Sequence, residues 1–95
     1  MGLNICLQRR DYSELPGWDT GRLAGDKEFV ALMADLPKIE ENWAAPHDFE
    51  FYTRPADFAA WREAIADRQW PNPGRFEQML DLLEANPDCW IYISW

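Results

Sequence analysis

The chain has one histidine, His47, and two cysteines, Cys6 and Cys89, among its 95 residues. Serine and cysteine nucleophiles of the triad type need a histidine to take the proton. His47 follows Pro46 in a polar stretch and reads as an ordinary surface or hydrogen-bonding side chain. Cys6, Cys89 and His47 show neither C-x-x-C nor H-x-x-x-H spacing, which removes the usual zinc arrangements. Two cysteines far apart in sequence are not the dense disulfide framework of a small secreted domain, so both read as free thiols. Glycine is equally sparse, at five residues, and no phosphate-cradling, dinucleotide-binding or nucleophile-elbow glycine pattern occurs.

Positive charge is scarce as well. Nine Lys and Arg stand against 17 Asp and Glu, for a net charge of -8, the opposite of the basic footprint that phosphate binding needs. Direct nucleic-acid binding is therefore not expected. No run approaches the roughly 18 apolar residues of a bilayer-spanning helix. The arginines of the opening MGLNICLQRRDYSEL follow its short apolar run, where an export signal carries them in front. A cytoplasmic, non-enzymatic protein with no cofactor, no metal and no membrane association is expected.

What is present is a globular composition, 47% hydrophobic and 27% charged, in a chain of single-domain length. Leu3, Ile5 and Leu7 alternate with polar neighbours and predict a strand. Arg9 to Gly25, with Pro16, Gly17 and Gly21, reads as a long surface connection. Phe29, Leu32, Met33 and Leu36 then recur at helical spacing from Asp26 until Pro37. A polar connector runs through Asn42 to His47, and Phe49–Thr53 reads as a second strand. A helix from Pro55 to about Asp67 carries Phe58, Trp61 and Ile65 on one stripe. Asn72 is placed to cap a third helix, with Pro73 at its first position and Phe76, Met79, Leu80 and Leu83 as its buried face; Asn86-Pro87 closes it. Cys89–Trp95 is strongly β-prone and apolar on both faces, which predicts a central strand.

The order β-α-β-α-α-β predicts an α+β domain over residues 1–95: a small three-stranded, mainly antiparallel sheet with three helices packed on one face. The predicted core is Leu3, Ile5, Phe29, Leu32, Met33, Leu36, Phe51, Phe58, Trp61, Ile65, Phe76, Met79, Leu80, Leu83, Ile91 and Ile93. Asp11, Glu14, Asp19 and Asp26, which share the long loop region, read as solvated surface charges.

Two features point to a binding surface. Residues 76 to 95 contain Glu77, Asp81, Glu84 and Asp88 and no Lys or Arg. Glu77, Asp81 and Glu84 fall within roughly 60° of one another on a helical wheel, away from the apolar stripe. With no cation from residue 76 onward they form a bare acidic ridge, suited to a basic surface of a partner protein or nucleoprotein complex. Trp18, Trp43 and Trp70 stand in Pro- or Gly-flanked connectors, where apolar anchors of interfaces are displayed.

Small, acidic, rich in aromatics, without a catalytic motif and opening Met1-Gly2-Leu3-Asn4-Ile5 like many small bacterial and phage proteins, the chain resembles the inhibitors that phages direct against host defence, anti-CRISPR proteins among them. The resemblance is one of general character over the whole chain and assigns no residue a role. It implies an inhibitor that occupies a positively charged nucleic-acid channel, its carboxylates standing in for phosphates. An immunity protein or antitoxin that neutralises a basic nuclease toxin would ask for the same surface, and a small accessory domain is the plainer alternative.

Overall fold

A computed structural model describes residues 3–21, 23–41 and 52–94. Seven elements follow in order: β1 (Asn4–Arg9), α1 (Asp26–Met33), β2 (Lys38–Glu41), β3 (Tyr52–Pro55), α2 (Phe58–Ala66), α3 (Arg75–Ala85) and β4 (Cys89–Ser94). The strands form one sheet in the order β1-β4-β3-β2, with every ladder antiparallel. The fold is thus α+β with three helices, and β4 lies inside the sheet as its apolar sequence predicts. No described helix is long and apolar enough to cross a membrane.

The sheet has four strands where three are expected, and the element order becomes β-α-β-β-α-α-β. The additional strand, β2, reads Lys-Ile-Glu-Glu. Among the described residues it is an edge strand, paired with β3 alone, and an edge strand tolerates charge on both faces, so it leaves no hydrophobic alternation to detect. Two helix starts also move. Pro55 closes β3 rather than opening α2, and Asp57 becomes the N-cap, its carboxylate accepting from Ala60 N at 3.2 Å. Asn72 does not cap α3, because its amide is turned away to donate to Ala24 O at 2.6 Å. The N-cap is Gly74, in the left-handed region at φ 82, a conformation that glycine alone adopts without cost. α1 starts in the same way on Gly25, at φ 92.

β1 and β4 turn Leu3, Ile5, Leu7, Cys89 and Ile91 to one face of the sheet, where they meet Phe29, Leu32 and Met33 of α1, Trp61 and Ile65 of α2 and Phe76, Met79, Leu80 and Leu83 of α3 in a single core. Phe29 and Phe76 stack with centroids 4.3 Å apart and planes 6° from parallel. Leu36, Phe58 and Ile93, predicted as core, pack against it half-buried, and Phe51 lies outside the described residues. On the opposite face Tyr52 and Trp90 are buried with Tyr92 beside them. Cys6, paired across the ladder with Tyr92, shares that face, whereas Cys89 joins the main core. The two thiols are therefore buried, free and on opposite sides of the sheet.

The connection after β1 is not a surface loop throughout. It turns at Tyr12 and runs back along β1, with Arg9 N donating to Ser13 O and Leu15 N to Leu7 O, both at 2.9 Å. Leu15 and Trp18 are then delivered into the core.

Candidate protein-binding surface

α2 and α3 are joined by a proline-rich turn that carries Trp70. The indole N–H of Trp70 donates to Ile65 O at 2.9 Å, and its ring meets Phe76 edge-on at 4.8 Å and Phe29 at 6.3 Å. These contacts fix the ring in one orientation while leaving it half-buried. Beside it lies a groove of about 400 Å³ lined by Arg68, Gln69, Trp70, Pro73, Gly74 and Glu77. Trp70 and Glu77, singled out separately by sequence, thus border one concavity. Trp43 lies outside the described residues, as does His47.

Trp18 is not on this surface. It is a core residue, its N–H donating to Ile5 O at 2.8 Å, and the Arg75 guanidinium covers its ring with Cζ 4.1 Å from the centroid. Gly17, just before Trp18, takes a left-handed φ of 89, a turn that glycine makes without strain.

Asp81 and Glu84 are exposed and Glu77 half-buried along α3, but the ridge is not bare. Arg62 of α2 donates to Asp81 at 2.9 Å and to Glu84. Hydrogen bonding to Glu84 first, and to Asp81 as well, holds the Arg62 pKa above the ordinary arginine value. Asp88 pairs with Arg9 of β1 at 3.0 Å. The missing cations come from other elements, which one-dimensional charge spacing cannot display. Two carboxylates sharing one guanidinium still leave negative charge on α3, and Glu77 adds to it with no ion pair among the described residues.

Three further interactions escaped the sequence. Asp26, read as a solvated loop acid, is buried: Arg75 Nε donates to its Oδ1 at 2.9 Å and Arg75 Nη2 to its Oδ2 at 3.2 Å. Side-chain exposure is 6% for Arg75 and 2% for Asp26, so the pair is structural and unavailable to a partner. Arg54 of β3 donates to the carbonyls of Leu83, Asn86 and Cys89. It thereby supplies the C-terminal end of α3 with the cation its last turn lacks. Burial lowers the Arg54 pKa from the ordinary arginine value. Finally, Gln78 Nε2 donates to Gly17 O at 3.1 Å, tying the long loop to α3. The one sequence signal for the buried pair was the Gly-Arg step at the start of α3, because a cation there opposes the helix dipole and needs a reason.

Among the described residues no three His, Cys, Asp or Glu side chains converge as a metal site. Compared with family models, curated proteins and solved structures, the chain matches none.

Proposed function

We propose that this chain is a non-enzymatic binding protein that docks on a basic surface of a partner protein or nucleoprotein complex, in the manner of the small phage-encoded inhibitors it resembles. The observation that carries the reading is the meeting of Trp70 and Glu77 in one groove at the head of α3, continuous along that helix with the exposed carboxylates of Asp81 and Glu84. A fixed aromatic ring supplies apolar area at little entropic cost, and complementary charge raises the association rate and sets orientation. The net charge of -8 favours approach to cationic surfaces as a whole.

The test is affinity capture from cell lysate with the tagged chain and with a Glu77→Gln, Asp81→Asn, Glu84→Gln variant in parallel. A basic protein or nucleoprotein retained by the first and lost from the second supports the reading. Retention of the same partner by both assigns binding to another surface and defeats it.

A further inference from the structure

The two edges of the sheet are treated differently. The outer side of β1 is occupied by its own chain through the Leu15–Leu7 and Arg9–Ser13 hydrogen bonds and the Gln8–Glu14 bridge. Among the described residues nothing pairs with the outer side of β2. Pro37 O accepts from Ala56 N at 3.0 Å, and the register sets Ile39 opposite Arg54 and Glu41 opposite Tyr52. Antiparallel pairs alternate between those that exchange backbone hydrogen bonds and those that do not, so Ile39 and Glu41 turn their backbone groups to β3. Lys38 and Glu40 turn theirs outward. Pro55, which lacks an N–H, sits opposite Lys38, where the ladder asks for none. Ile39, between the two outward-facing residues, is 48% exposed.

The sequence Lys38-Ile39-Glu40 is complementary to itself when reversed. With Ile39 of two copies face to face across a two-fold axis, Lys38 of each copy lies opposite Glu40 of the other. The outward N–H and C=O groups of both residues then meet their counterparts. The two Ile39 side chains fall at the close, non-hydrogen-bonded position, where Cα atoms approach to about 4.5 Å. Parallel pairing in register would set lysine against lysine and glutamate against glutamate. Lys38 Nζ donates to Ala34 O, and an ammonium has two further protons for a carboxylate.

We propose that β2 is a self-recognition edge through which two copies of this chain form a transient antiparallel dimer with one continuous eight-stranded sheet. The interface is distinct from the acidic surface of α3 and does not depend on it. Four residues per copy bury well under the roughly 1,000 Å² of a stable interface, so the association is weak.

Sedimentation equilibrium on the full chain, from about 10 µM to about 1 mM at roughly 0.15 M salt, where the Debye length is about 8 Å, reads it directly. The weight-average mass is expected to rise with concentration. Lys38→Glu and Glu40→Lys should each lower the association constant roughly tenfold, because like charges directly opposite one another destabilise a strand pair. The double exchange K38E/E40K restores complementarity and should return the constant to near the starting value. Hydrogen exchange gives a second reading without substitution: the amides of Lys38 and Glu40 should gain protection at high concentration. Constant monomer mass up to 1 mM, single exchanges without effect, a double exchange no better than the singles, or unchanged exchange at both amides would each overturn the proposal.

Discussion

Arg75 and Asp26 form a bidentate ion pair in the core although each is the first residue of a different helix. The pair fastens the starts of α1 and α3 to one another, and Trp18 closes over the guanidinium. Removing one partner of such a pair leaves an uncompensated charge in an apolar surround, at a cost of about 3–5 kcal/mol. Arg75→Ala is therefore expected to lower stability by about that amount in urea unfolding, whereas Asp26→Leu combined with Arg75→Met should recover most of it. A loss below about 1 kcal/mol for Arg75→Ala would show that water reaches Asp26.

Gly25 and Gly74 have nearly the same backbone conformation, with φ of 92 and 82, but different surroundings. A Cβ on Gly74 would meet nothing within 4 Å, whereas one on Gly25 would lie 3.2 Å from Pro71 Cδ. Gly74→Ala should cost about 1–2 kcal/mol, the left-handed penalty alone. Gly25→Ala should cost more, since Pro71 belongs to the turn that carries Trp70. Thermal unfolding of the two variants side by side checks the order.

How much was legible follows from where each residue's partner lies. Phe76, Met79, Leu80 and Leu83 announce their helix because a buried stripe repeats within one element, and β4 announces itself by being apolar on both faces. β2 does not, since three of its four residues are charged and its pairing depends on β3, a separate element farther along the chain. The acidic surface of α3 was visible as carboxylates, but Arg62 and Arg9, which temper it, come from other elements and no spacing rule reaches them. Trp18 and Asp26 were misplaced for the same reason: burial was decided by Ile5 and Arg75, both remote in sequence.

Burial raises the Cys6 thiol pKa, with Glu14 adding to the shift, and burial likewise raises that of Cys89. Each thiol stays protonated in the folded chain at a pH where the unfolded chain, with an ordinary value near 8.5, has begun to ionise. The stability they contribute is present below about pH 8.5 and is lost as the pH rises toward the raised folded values. Wild-type stability should therefore fall more steeply between about pH 8 and 10 than that of a Cys6→Ala, Cys89→Ala variant, as measured by urea midpoints. Native protein at neutral pH should react with a thiol reagent only as fast as it opens.

Arg62 gives the proposed binding surface a test of sign. Neutralising Glu77, Asp81 and Glu84 together should slow association with a basic partner and flatten its salt dependence. Arg62→Gln removes the cation between Asp81 and Glu84 and should do the reverse, speeding association at low salt. Trp70→Ala should instead act on dissociation, at a cost of about 2 kcal/mol or more for a true anchor. Surface plasmon resonance at two salt concentrations separates the three. Equal association rates for the triple variant and Arg62→Gln would take the charge on α3 out of the account.

The pairing of Asn4 with Ser94 sets the first residue of β1 beside the last residue of β4. β4, the strand that β1 and β3 share, comes after every other described element, so its ladder with β1 joins the two elements farthest apart in the sequence. Closures this distant slow folding. A circular permutant that links Ser94 to Asn4 through a short glycine-rich turn and opens the chain at the exposed Asp67–Gln69 segment would convert that closure into a hairpin. It should keep the same sheet and fold faster than the natural order, with the gain appearing in the refolding limb of a chevron plot and little change in the unfolding limb.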